Sequence, residues 1–364
     1  MPVREPAWWY GPARGAAARL LGPAGRLYGW VAVQRFRAAV PAAPALPVIC
    51  IGNFTAGGTG KTPLALMVAG RLRQQGEHPA FLSRGYGGRL AGPHWVDPGR
   101  DLATAVGDEP LLLARAFPTL IARDRAEGAA AIADGRPRDA EATRPSVVVM
   151  DDGLQNASLI KTLTLAVVDG GRGFGNGRVI PAGPLRAPLA HQLGLADAIV
   201  INHGAAAPAE CPVADRLRQS FKGPILGACV RPAGDLGWLR GTRVTAFAGI
   251  ANPDRFFHLL DQLGARLVET RAFPDHHQLS DAEAAALLTS AKRSGAQLVT
   301  TEKDQVRLAG ATGAAGELAH RAQTVGIEMT LGQRDLGQLD TLVRLALGSH
   351  AAAYRNSDDY TVAT

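Results

Sequence analysis

Gly52-Asn53-Phe54-Thr55-Ala56-Gly57-Gly58-Thr59-Gly60-Lys61-Thr62 is the stretch that decides the fold. It follows a short apolar run at 47–52. It opens a segment at 62–75 in which Leu64, Val68 and Leu72 share one helical face, closed by Gly76. Strand, glycine-rich turn and helix in this order form a phosphate cradle. Loop amides from Thr55 to Thr62 face the phosphates, and the helix N-terminus adds its dipole. Lys61 reaches the outer phosphates, and the Thr62 hydroxyl is placed for Mg²⁺. The strict pattern asks for glycine where this chain has Thr55. The partition and nitrogenase-iron-protein ATPases carry a second lysine at the position of Ala56, so its absence argues against that subclass.

A phosphate loop needs a carboxylate at the end of a neighbouring apolar strand. Val147-Val148-Val149-Met150-Asp151-Asp152 supplies it. Asp151 is the expected outer ligand of the metal, and Asp152 faces the bound ligand or supports the metal shell.

Outward from these two motifs the same grammar continues. Strands are expected at 80–83, 119–122, 146–150, 164–168 and 198–202, and a helix at 108–116. The second half adds strands at 244–248, 265–269, 297–301 and 325–329, and helices at 253–263, 281–292 (Ser280 as N-cap) and 338–347. Short apolar strands alternating with helices predict an α/β protein with a parallel sheet covered on both faces. The expected organisation is an N-terminal helical segment over 1–40, a P-loop NTPase-like domain over 41–224, a smaller α/β lobe over 225–348 and a disordered tail over 349–364. The stretch 205–224 is poor in regular pattern and reads as a bridge.

Composition narrows the class. The chain has 364 residues, 43 glycines and 24 prolines, and the excess of both points to glycine-rich loops in a globular protein. With 46% hydrophobic and 20% charged residues it is not a disordered chain. No apolar run approaches the roughly 18 residues that span a bilayer. The 39 basic and 32 acidic residues suit an anionic partner, but the basic residues are spread rather than blocked. Cys50, Cys211 and Cys229 include no Cys-x-x-Cys and fit a reducing compartment. In the first forty residues Trp8, Trp9 and Tyr10 precede Leu20, Ala24, Leu27 and Val31 at helical spacing, with Trp30 and several arginines interleaved. Periodicity alone fits an amphipathic helix on the protein's own core or one on a membrane surface.

Other clusters must define the reaction. Ser83-Arg84-Gly85-Tyr86-Gly87-Gly88-Arg89 offers arginines and amides for an anionic acceptor. Gly107-Asp108-Glu109-Pro110 opens a helix, and Phe273-Pro274-Asp275-His276-His277 brings histidines to a strand end. Gly177-Arg178 and Pro181-Ala182-Gly183-Pro184-Leu185-Arg186 form a stiff, basic loop.

Taken in order, T-A-G-G-T-G-K-T-P, S-R-G-Y-G, G-D-E-P, D-D-G-L-Q, G-N-G-R-x-I-P-A-G-P-L-R, F-P-D-H-H and T-T-E-K-D resemble the tetraacyldisaccharide 4′-kinase family of lipid A biosynthesis. The resemblance implies ATP-dependent phosphorylation of the 4′-hydroxyl of an acylated glucosamine disaccharide 1-phosphate. It implies a two-lobed kinase on the cytoplasmic face of the inner membrane, using ATP and Mg²⁺. It implies Asp108 and His276 as the catalytic pair, with Asp108 accepting the hydroxyl proton, and Glu109 near Mg²⁺. It assigns the N-terminal helix to the membrane, which moves Trp8, Trp9, Leu20, Leu27 and Trp30 to a membrane-facing surface. Arg84, Tyr86, Asp152, Gln155, Asn156, Arg178 and Arg186 are the expected acceptor-binding residues, with Arg84, Arg178 and Arg186 for the 1-phosphate or the transition-state charge. The family motif usually reads D-D-G-F-Q-H. Leu154 and Asn156 stand here instead, and Asn156 removes a group able to carry positive charge.

Neither a nucleic-acid nor an obligate protein partner is expected. The rival readings are a P-loop switch ATPase, without an acceptor pocket, and a nucleic-acid-stimulated ATPase, for which no reading motif is present.

Overall fold

Runs of β-branched and aliphatic residues buried on both faces make the strands, because only a sheet covered on both sides uses such runs. The structure, a computed structural model, describes residues 5–11, 15–135, 143–208 and 210–361. Twelve strands form one sheet: β1 Val48–Asn53, β2 Pro79–Ser83, β3 His94–Trp95, β4 Thr119–Ile121, β5 Val147–Asp151, β6 Leu163–Asp169, β7 Ala198–Asn202, β8 Ile225–Ala233, β9 Arg243–Ala248, β10 Arg266–Ala272, β11 Gln297–Thr301 and β12 Gln323–Leu331. Their order is β10-β9-β11-β12-β8-β7-β6-β1-β5-β2-β4-β3. Pairing is parallel except at β3–β4 and at β8–β12. The β8–β12 ladder joins the sheet of the first half to that of the second, so the two α/β portions share one continuous sheet.

The helix Lys61–Gln74 buries Leu64, Ala65, Val68, Ala69 and Leu72 against Ile49 and Ile51 of β1 and Val147 and Val149 of β5. Each such aliphatic side chain contributes about 1.5–3 kcal/mol when fully buried. This packing holds the glycine-rich turn at the carboxyl ends of the parallel strands, where α/β sites form. In the second half, Ser280 closes a capping box with Glu283 at the start of the helix Asp281–Ser294.

Several elements lie outside the expected pattern. The stretch read as a bridge contains the helix Pro212–Ser220, which buries Ala214 and Leu217. The helices Arg125–Asp134, Glu302–Leu308 and Gly313–Arg321 and the strand β8 were not expected from the sequence. The last helix runs Gln333–Thr361, through much of the tail expected to be disordered; 362–364 lie outside the described residues.

The N-terminal helix Gly22–Ala38 reverses the usual partition. Its buried residues are Gly22, Gly25 and Gly29. A Cβ at Gly25 would stand 2.7 Å from the Val179 carbonyl oxygen. The helix therefore packs close on its backbone. Leu20 just before it and Leu27 and Trp30 on it stay 82%, 63% and 60% exposed. Among the described residues no helix is long and apolar enough to cross a membrane.

Candidate active site

The phosphate loop is shaped by its neighbours before any ligand arrives. The Asn53 side chain, at the end of β1, donates to the Thr55 carbonyl at 2.7 Å and to Thr59 Oγ1 at 3.1 Å. The Asn202 side chain, at the end of β7, donates to the Thr59 carbonyl at 3.0 Å. Gly57 and Gly60 take left-handed φ angles of 102° and 98°, which a Cβ disfavours. At Gly60 a Cβ would also meet the Asn202 amide nitrogen at 2.6 Å. The loop is thus held in shape by these contacts, and its Ala56 amide, expected to face the phosphates, instead donates to the Pro184 carbonyl at 2.8 Å.

An open cavity of about 1680 Å³ runs along this loop. Ala56, Gly57, Gly58, Thr59, Gly60, Lys61 and Thr62 line one wall. Arg84, Tyr86, Glu109, Asp151, Asp152, Gln155, Asn156, Arg186 and His276 also line the cavity, as do Arg123 and Arg125. Thr55 is buried beneath the loop. Arg178 does not line the cavity: a Cβ at Gly22 would touch its guanidinium at 2.9 Å, which places it against the start of the N-terminal helix.

Arg186 ties the site together. Its Nη1 lies 2.9 and 3.0 Å from the two oxygens of Asp152, and its Nε donates to the Thr55 carbonyl. Lys61 Nζ stands 3.7 Å from Asp152. Burial pushes the Asp152 carboxyl up, but Lys61 and Arg186 outweigh it and hold it below its ordinary value. Gln155 donates to the Asn53 carbonyl at 2.8 Å and to Gln192 at 2.7 Å, so it braces the loop from below. The Asn156 side chain accepts from the Ser158 amide and hydroxyl. Lys161 Nζ donates to the Leu154 and Asn156 carbonyls, fixing the 153–156 turn.

Asp151 behaves differently from Asp152. It ends β5 fully buried, and its Oδ1 has no hydrogen-bond partner among the described residues. Burial, then the charges of Glu109 and Asp152, push its carboxyl up to about 7. An orphaned carboxylate oxygen on the cavity that Thr62 also lines fits a cation shared with phosphate oxygens. Among the described residues no group of three or more His, Cys, Asp or Glu side chains could hold a metal alone. Glu109, expected near the metal, is paired with Lys303 at 2.7 Å. The Lys303 charge holds its carboxyl low against burial.

Asp108 sits behind the wall, 5% exposed. Its Oδ2 accepts from His276 Nδ1 at 3.0 Å and from Arg307 Nε at 2.8 Å. Burial raises the Asp108 carboxyl, but the His276 hydrogen bond and the Arg307 charge prevail and hold it well below the usual carboxylate range. The Asp108 hydrogen bond conversely raises His276 above its ordinary value, against burial. Tyr86 meets the His276 ring edge-on at 5.6 Å. Asp152 and His276 are the two non-glycine residues with left-handed backbone among the described residues, at φ 53° and 59°. Such strain gathers at functional sites.

Sequence reasoning missed Lys303 and Arg307. They lie four residues apart, on the helix Glu302–Leu308. The T-T-E-K-D motif marks the place, but its lysine had no partner until the fold supplied Glu109. Arg125 was also missed. It is 3% exposed, and burial together with Arg84 lowers its guanidinium to about 10. Arg84, Arg123 and Arg125 all line the cavity, and Arg84 is close enough to Arg125 to lower its guanidinium.

The family model for tetraacyldisaccharide-1-P 4′-kinase matches residues 17–344. A tetraacyldisaccharide 4′-kinase of Methylorubrum extorquens (strain PA1) is 52% identical over 307 residues, 84% of this chain and 90% of the relative. One from Nitrobacter winogradskyi is 48% identical over 311 residues, 84% and 87% of the two chains. The crystal structure of LpxK from Aquifex aeolicus in complex with ATP superposes with a TM-score of 0.69. It is 23% identical and covers 91% of this chain and 99% of that one, a likeness of fold.

Proposed function

The chain belongs to the tetraacyldisaccharide 4′-kinase family, and from that premise we propose how its site works. The reaction moves the γ-phosphoryl group of ATP to the 4′-hydroxyl of a tetraacyl glucosamine disaccharide 1-phosphate, giving lipid IVA, a lipid A precursor. One observation carries the mechanism: His276, from the second half of the chain and bonded to Asp108 of the first, lines the same cavity as the phosphate loop.

The loop amides and Lys61 hold the β- and γ-phosphates, and Lys61 stabilises charge on the moving phosphoryl oxygens. Thr62 and Asp151 would hold Mg²⁺, with Glu109 nearby. When bound, the ion neutralises phosphate charge and favours departure of ADP. With its Nδ1 proton donated to Asp108, His276 keeps the Nε2 lone pair beside Asp275 on the cavity wall. Nε2 takes the hydroxyl proton; the freed oxygen pair forms the new O–P bond as the P–O bond to ADP breaks. Asp108 stabilises the imidazolium so formed. The resemblance gives the proton to Asp108. Its burial, the Arg307 guanidinium and His276 Nδ1 already bonded to its Oδ2, and its lowered pKa favour the orienting role instead.

Arg84, Arg123, Arg125 and Arg186 suit the acceptor's 1-phosphate and the transition-state charge. The exposed Leu20, Leu27 and Trp30 suit a peripheral seat on the cytoplasmic face of the inner membrane, where this acceptor is presented. The test is mass spectrometry of lipid products after incubation with ATP, Mg²⁺ and the acylated disaccharide phosphate. A product heavier by one phosphoryl group is expected. ATP hydrolysis that ignores the lipid, without such a product, overturns the reading.

A further inference from the structure

Two adjacent carboxylates of the site are gripped from one turn of a distant helix. On the helix Glu302–Leu308, Lys303 and Arg307 are four residues apart and share a face. Lys303 Nζ donates to Glu109 at 2.7 Å. Arg307 Nε donates to Asp108 Oδ2 at 2.8 Å, and its Nη2 reaches the same oxygen. Arg307 Nη1 turns the other way, donating to the Gly249 carbonyl and to Asp304 Oδ1. The Asp304 carboxylate accepts from the Gly249 amide at 3.1 Å and from the Thr301 hydroxyl at 2.6 Å. The His276 amide also donates to the Gly249 carbonyl, at 3.2 Å.

Arg307 therefore touches both supports of His276: the carboxylate bonded to its ring and the carbonyl bonded to its backbone. Its side chain is only 5% exposed, and so is that of Asp108. A buried guanidinium forked between two carboxylates and a carbonyl fixes orientation as well as charge. Lysine in its place would keep a charge without the fork.

We propose that Arg307 is a positioning residue for phosphoryl transfer, aiming the Asp108–His276 pair at the acceptor hydroxyl, with Lys303 setting Glu109 from the same helix. The proposal rests on the kinase reading above. Arg307 does not line the cavity. Its loss should slow the transfer step and leave nucleotide binding alone.

The experiment compares wild type, Arg307→Lys and Arg307→Ala in lipid phosphorylation, with ATP affinity and melting temperature measured on the same samples. A misplaced catalytic group costs about 10²-fold in rate. In Arg307→Lys we expect kcat to fall by about that factor, with KM for ATP within about two-fold of wild type. Arg307→Ala should fall further, so that lysine recovers part of the rate. Wild-type kcat in Arg307→Lys overturns the proposal. So does a loss of kcat matched by equal losses of ATP affinity and melting temperature, the signature of a merely structural residue. A wild-type protein that phosphorylates no lipid overturns the kinase reading and this inference with it, whereas an active wild type with indifferent variants overturns the inference alone.

Discussion

His276 Nδ1 stands 3.0 Å from Asp108 Oδ2, a contact that spans 168 residues of chain. It closes the site between the two halves, and its protonation couples chemistry to stability.

The hydrogen bond to Asp108 raises the His276 pKa above 6.5, more than burial lowers it. The folded protein holds this proton more tightly than the unfolded chain. The pair's stabilisation is therefore complete below 6.5 and is lost as pH rises through the folded value. Asp108, Asp275 and Arg307 face the ring, with Tyr86 on its edge. In urea unfolding, the stability gap between wild type and His276→Gln should shrink from about pH 6 to about pH 9. A gap that stays constant with pH contradicts the assignment.

Asp108→Asn keeps the shape and removes the charge that, on the proposed mechanism, steadies the imidazolium. We expect kcat to fall about 10²- to 10⁴-fold, with ATP affinity unchanged. If His276 is the proton acceptor, His276→Gln should fall at least as far. Full activity in His276→Gln, with loss confined to Asp108→Asn, would return the proton to Asp108.

Lys61 lies on the cavity wall 3.7 Å from Asp152. Lys61→Ala should reduce kcat by roughly 10²- to 10³-fold through lost charge stabilisation. Its circular dichroism should match wild type, because the loop is held by Asn53 and Asn202. Melting at wild-type temperature with near-normal turnover would remove Lys61 from the mechanism.

At Gly25 there is no room for a side chain against the Val179 carbonyl. Gly25→Leu should destabilise the protein by about 1–3 kcal/mol, as overpacking does. Thermal melting reads this directly, and an unchanged melting temperature would mean that the helix does not pack where it lies.

The opposite face of that helix gives the membrane test. Leu27→Ser with Trp30→Ser removes exposed apolar surface and no described core contact. Co-sedimentation with anionic phospholipid vesicles should drop, while activity on detergent-dispersed acceptor persists. Undiminished sedimentation would sink the membrane role of this face.

Much of this architecture was legible in the chain because short apolar strands leave a clear trace. The strands at 198–202 and 297–301 were read to the residue. Edges were harder: β10 runs to Ala272, because Thr270 and Arg271 pair with β9 although neither is apolar. The phosphate loop and Asp151 were readable from local spacing alone. Arg307 was not, since a buried arginine looks like any exposed one until Asp108 reaches it from elsewhere in the fold. The placement of Arg178 likewise turned on the N-terminal helix, whose glycines hid how closely it packs.

The grip of Lys303 and Arg307 on Glu109 and Asp108 also bears on how the chain can be divided. A cut within 205–211 would leave the acids in one fragment and their cationic partners, with His276, in the other. Each fragment would lack half of the Lys303–Glu109 and Arg307–Asp108 pairs and the Asp108–His276 contact that complete the site. The halves would be expected to regain activity only by complementation, when mixed or co-expressed. Each is a folding template for the other's chemistry, and the enzyme is indivisible despite its two-part appearance.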